Sequence, residues 1–147
     1  MQTVTRRPPF GAMQIVLGGL VIAVVALALP ATVVAGVTVR GYSLLIASFA
    51  AIGGPFHEWQ DFYIGLSAFE NVLLYVVLPV AAIRRIWPRQ FASVACLGAV
   101  YIATVPAVIG GALGLAYYAW LLAAVVVAAG FLGLARLYSH AHAMAGA

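Results

Sequence analysis

Charge is what this sequence has least of. Only 7% of its residues are Asp, Glu, Lys or Arg, lysine is absent, and the acids are Glu58, Asp61 and Glu70 alone. A soluble domain covers itself with about a quarter charged residues. A chain that is 66% hydrophobic, with a mean hydropathy of +1.14, has no such cover, so lipid must solvate most of its side chains. One cysteine, Cys96, excludes an intrachain disulfide, and its place inside an apolar run is explained by packing. Alternating apolar and polar strands are missing too, which argues against a membrane barrel. Unpaired backbone amides cost several kcal/mol each in hydrocarbon, so helices are left as the spanning element. The expected fold is all-α: a polytopic transmembrane helix bundle forming a single integral membrane domain over residues 1–147.

What charge there is marks the ends of the apolar runs. The formal charge of +4 comes from arginines placed as topological anchors, and this gives no support to nucleic-acid binding. Arg6 and Arg7 precede an apolar stretch much longer than the roughly 7–15 residues of a signal-peptide core. That stretch is read as a retained first helix.

Four spans are expected, at about 13–35, 62–83, 91–110 and 115–135, each long enough for a hydrocarbon core of about 30 Å. Pro30 lies near the far end of the first, where a kink or early stop is tolerated. The apolar segment 41–54 falls below the ~17 residues a crossing needs and reads as re-entrant or interfacial. If it crosses, there are five spans, and the arginines arbitrate. With four, Arg6, Arg7, Arg84, Arg85, Arg89 and Arg136 share one side and only Arg40 lies opposite. With five, Arg6 and Arg7 move across from the rest. The positive-inside rule favours four spans, both termini cytoplasmic, and a place in the cell membrane, the inner membrane of a bacterium.

Against this background Glu70 is conspicuous, about eight residues into the second span and some 12 Å along it, where an ionisable group is expensive and usually faces the bundle interior. Helical spacing puts Tyr63, Ser67, Glu70, Asn71 and Leu74 on one face, so Glu70 belongs to a polar stripe. A carboxyl group held there can exchange a proton or anchor a polar ligand group, making Glu70 the candidate catalytic residue. Tyr63, Ser67 and Asn71 are the candidate ligand-binding residues beside it. Tyr101 and Thr104 of the third span join them, Tyr101 as the best candidate to meet Glu70 across the bundle. The bland alternative is a structural hydrogen bond between helices.

His57, Glu58 and Asp61 form a second polar cluster, set among the aromatic residues Phe56, Trp59, Phe62 and Tyr63. It reads as an interfacial loop or as a gate over Glu70. The second histidine of a His-Glu-x-x-His zinc site is missing, so no metal is assigned. His140 and His142, two apart, fall on different sides of a helix and form no clamp. No span clearly carries an axial histidine for haem, and no cofactor is expected. Tyr117, Tyr118 and Trp120 are explained by interhelical bonds and the interfacial aromatic belt, and Gly110, Gly114, Gly130 and Gly133 by close helix contact.

From Glu70 through Arg84 to Pro88, the second span loosely resembles four-helix membrane proteins of the DoxX type. The pair Glu70 and Pro79 loosely resembles the sterol-isomerase and emopamil-binding type. A diagnostic motif of either is absent, and no family is assigned.

The expected function is binding or transformation of a small apolar molecule (a quinone, an isoprenoid or a sterol-like lipid) in a pocket within the bundle. The alternatives are a noncatalytic subunit of an oligomer or larger membrane complex, or a small transporter. The latter normally needs more polar lining than this chain has. Membrane lipid is the expected partner in every case.

Overall fold

The computed structural model describes residues 10–34, 36–55, 59–84, 90–109 and 113–145. Helix α1 covers Phe10–Ala28. It is followed by a hairpin of β1 (Pro30–Val34) and β2 (Val37–Arg40), then by α2 (Gly41–Gly53). Helix α3 (Trp59–Val72) runs through a π-helical turn, Leu73–Val77, into α4 (Leu78–Ile83). Helices α5 (Gln90–Ile109) and α6 (Leu115–Ala145) complete the order. Among the described residues, four helical stretches are long and apolar enough to cross a membrane: Gly11–Ala28, Asp61–Ile83, Gln90–Val108 and Leu115–Leu137. The chain is a multi-pass helical membrane bundle.

Burial follows the logic of a lipid-facing protein. Large side chains such as Val21, Val24, Leu97 and Val100 are the most exposed, while the interior is built mainly of alanine around Val16, Leu74, Leu78, Val127 and Phe131. Small residues let helix backbones approach, which supplies packing where the hydrophobic effect between helices is absent. The α1–α6 contact shows this best. A Cβ placed on Gly130 would stand 2.5 Å from Val16 Cγ2, and one on Gly19 would stand 2.7 Å from Val127 Cγ2. Each valine fills the space the opposite glycine leaves. Gly98 gives Leu74 the same room between the π-helical turn and α5.

The expected first span, 13–35, ends too late. The helix stops at Ala28, and residues 30–34 are a strand. Proline has no N–H for a helix and is accepted as the first residue of a strand, and the residues beyond it, Thr32, Val33, Val34, Val37, Thr38 and Val39, are all β-branched. Gly36, at φ 80°, supplies the left-handed turn between them. Ladder partners are Pro30 with Arg40 and Thr32 with Val39, so Ala31 is the extra residue of a bulge. Its carbonyl instead accepts the Gly114 N–H at 2.6 Å, tying the hairpin to the start of α6. Gly114 must lack a side chain here, because a Cβ would lie 2.4 Å from the Pro30 carbonyl oxygen.

The hairpin brings the chain back to where α1 ended: the Gly41 N–H donates to the Leu29 carbonyl at 3.0 Å. Ala31 and Thr32, just after α1, and Tyr63 and Ile64, in the first turns of α3, line a common cavity. Helix α2 packs against α3 and α1.

The π-helical turn has a local cause. Pro79 has no N–H to give the Tyr75 carbonyl, and its ring would crowd that carbonyl in a regular helix. The wider turn lets the Leu78 N–H reach back five residues to the Leu73 carbonyl. Such turns add a residue to the helix circumference and often accompany functional sites. This one begins two residues after Asn71.

Candidate functional site

At the hairpin end of the bundle, β1, α2, α3, α5 and α6 enclose a cavity of about 270 Å³. Five of the polar residues expected from the sequence line it: Tyr63, Ser67, Glu70, Asn71 and Tyr101. The sixth, Thr104, is not on the wall but bonds to Tyr63 behind it. Asp61 is half-buried in the first turn of α3, where a carboxylate suits the positive end of the helix dipole. His57 and Glu58, the rest of the expected gating cluster, lie outside the described residues.

Most of the hydroxyl groups around the cavity already spend their protons on the protein. Ser67 donates to the Ile64 carbonyl at 2.5 Å, and Ser48 of α2 to the Leu45 carbonyl at 2.7 Å. Tyr63 and Tyr101 lock α3 to α5 reciprocally. The Tyr101 hydroxyl donates to the Tyr63 carbonyl at 2.5 Å, and the Tyr63 hydroxyl reaches the Tyr101 carbonyl at 3.1 Å, their ring centroids 4.7 Å apart. Thr104 donates to the same Tyr101 carbonyl at 2.7 Å and lies 2.5 Å from the Tyr63 hydroxyl. From α6, Tyr117 donates to the Ile102 carbonyl at 3.2 Å. Tyr101 thus faces the same cavity as Glu70 but gives its proton to α3 backbone rather than to the acid.

Glu70 and Asn71 are different. Both Glu70 carboxyl oxygens and Asn71 Oδ1 are buried and have no hydrogen-bond partner among the described residues. The Asn71 amide orientation is set by chemistry, since its Nδ2 donates at 2.7 Å to the Ser67 carbonyl, which can only accept. Oδ1 is then the atom left over. A buried polar atom without a partner costs about 1–3 kcal/mol, so three together in one wall are an expense that folding alone does not explain.

No family model, curated protein or solved structure matches the chain. Its site has to be read from its own chemistry.

That chemistry includes residues the sequence reading passed over. Trp120, assigned to an aromatic belt, forms a wall of the cavity, and its carbonyl accepts from the Tyr75 hydroxyl at 3.3 Å. Ser48 and Leu44 come from the short segment 41–54, and Ala31 and Thr32 from the hairpin. The clue for Ser48 was its place as a hydroxyl-bearing residue well inside an apolar helix. Nothing in the local sequence pointed to Trp120, because its position depends on how α6 packs.

Proposed function

We propose that the protein binds, and in its reactive form transforms, a small apolar molecule of the quinone, isoprenoid or sterol-like class in the cavity beside Glu70. The observation that carries this reading is the set of buried, unpartnered oxygens on Glu70 and Asn71, two residues in the wall of a largely apolar chamber. Ligand sites have this composition, an apolar lining with a few convergent polar groups that fix orientation. Glu70 supplies either a polar anchor or the group that gives and takes a proton, with Asn71 beside it as an acceptor that does not change charge. Tyr63, Ser67, Tyr101 and Thr104 hold the wall rigid through their bonds to α3 and α5 backbone. The chain would work in the cell membrane, the inner membrane in a bacterium, with both termini and most arginines on the cytoplasmic side and the cavity near the opposite face.

A noncatalytic role in a larger complex would use Glu70 to meet a neighbouring subunit. Its position on a cavity wall formed within one chain favours the ligand reading. The test is equilibrium binding to the protein in lipid nanodiscs, followed by Trp120 fluorescence in a Trp59→Phe, Trp87→Phe background, with farnesol, decylubiquinone and cholesterol as probes. Saturable quenching by at least one probe, lost in Glu70→Leu with the helix content intact, supports the proposal. Absence of saturable binding by all three sinks it.

A further inference from the structure

A second cavity of about 330 Å³ lies against the first, between α1, α2 and the π-helical turn. Its walls include Leu20, Val24, Phe49, Val72 and Val76, all apolar, and four of these side chains are well exposed on the outer surface of the bundle. Two residues, Asn71 and Trp120, line both cavities. Asn71 joins the two: it is only 8% exposed and belongs to the wall that the inner chamber and the apolar groove share. Each cavity alone lies near or below the lower end of the roughly 300–1,000 Å³ usual for ligand sites, and the pair together falls inside that range.

The two differ in what they offer. The inner chamber has Glu70, Ser67 and the tyrosines, while the groove presents hydrocarbon and opens on the lipid-facing side. The unpartnered atoms of the inner wall are Glu70 Oε1 and Oε2 and Asn71 Oδ1. An amide oxygen only accepts, and a carboxyl group retains acceptor capacity whether or not it carries a proton. The hydroxyl protons of Ser48, Ser67, Tyr101 and Tyr117 are already committed to backbone carbonyls. A donor on the ligand would meet any of the three unpartnered atoms, and Asn71 Oδ1 can take nothing else.

We infer that the two cavities form one head-and-tail site for a single-chain lipid with a hydroxyl head group. The hydroxyl donates to the Glu70–Asn71 pair, and the chain passes Asn71 and Trp120 into the groove between α1 and α2. This rests on the ligand reading above and narrows it: within the apolar classes it selects a hydroxyl-bearing chain over a carbonyl compound of similar size. A head group that cannot donate leaves Asn71 Oδ1 unpaired, the circumstance in which a polar site rejects a close analogue most strongly. The groove explains how such a lipid enters, directly from the bilayer rather than through water.

The experiment compares farnesol with farnesyl methyl ether, identical in chain but without the donor, and with prenol, which keeps the hydroxyl on a much shorter chain. Binding is measured by Trp120 fluorescence in nanodiscs in the same background as above. Farnesol should bind at least about tenfold more tightly than the ether, and Glu70→Leu should shrink that ratio toward one. Val24→Phe and Val76→Phe, at positions exposed enough to accept the larger ring, should weaken farnesol binding about tenfold or more while changing prenol binding little. Dodecylamine distinguishes a cationic from a neutral donor, and its preference over dodecanol by tenfold or more would overturn the hydroxyl assignment. Equal binding of alcohol and ether, or indifference of farnesol to both groove variants, would overturn the head-and-tail site and leave the ligand cavity itself standing, provided that saturable, Glu70-dependent binding persists. Loss of all saturable binding would remove both.

Discussion

The α1–α6 seam and the α3–α5 seam are built from the same kind of helix, yet they solve different problems. Between α1 and α6, Val16 sits over Gly130 and Val127 over Gly19, with alanines around them. Between α3 and α5 the contact is held by Tyr63 and Tyr101 through reciprocal bonds to backbone, and beside it the helices part around Glu70 and Asn71. One seam is dry and closely packed; the other keeps a chamber open and tolerates buried oxygens without partners. The first is where folding is secured, and the second is where the fold gives up stability.

Substitutions can test that division. The largest effect belongs to the dry seam. Gly130→Val should be severely destabilising, because its new atoms overlap Val16 and the Val16 backbone; overpacking of this kind costs about 1–3 kcal/mol or more. A fall in the folded fraction during denaturant titration in detergent micelles checks it, and a variant as stable as the parent would contradict the packing described. Glu70→Leu should do the reverse of what a structural acid predicts. Removing a buried group with no hydrogen bond should leave stability unchanged or raise it by about 1 kcal/mol or more, while ligand binding is lost. A marked drop in the melting midpoint would show that the carboxyl group holds the bundle together.

Tyr101→Phe lies between these extremes. It removes one hydroxyl bond to the Tyr63 carbonyl and should cost about 0.5–1.5 kcal/mol in the same titration, without changing the helix content seen by circular dichroism. Pro79→Ala should have the smallest effect on stability and a larger one on the site. Restoring an N–H at residue 79 lets the π-helical turn relax toward a regular helix, which alters the facing of Asn71 relative to Leu78. Weaker farnesol binding at nearly constant stability is the expected pattern, and unchanged binding would separate the turn from the site.

The two seams were not equally legible in the sequence. Uninterrupted apolar runs make the long helices plain, since lipid leaves the backbone no other regular choice. The polar stripe was legible as well, because Tyr63, Ser67, Glu70 and Asn71 share a helix face by spacing alone. The hairpin was not. Its residues are as apolar as a helix end, and hydropathy does not separate a strand from a helix over so few residues, although the β-branched run around Gly36 carried the signal. The partnership of Gly114 with β1, and of Trp120 with both cavities, arises only once the hairpin has folded back over the bundle. Glycine spacing in α6 suggested close helix contact in general terms, but the valine that Gly130 accommodates comes from a helix more than a hundred residues away in the chain.

The most direct measurement is the lipid that travels with the protein. Wild type and Glu70→Leu, purified in parallel under mild detergent and extracted for mass spectrometry, should differ in one species: a hydroxyl-bearing, single-chain lipid retained near one per chain by the wild type and missing from the variant. The same lipid content in both, with both folded, would contradict a ligand site built on Glu70.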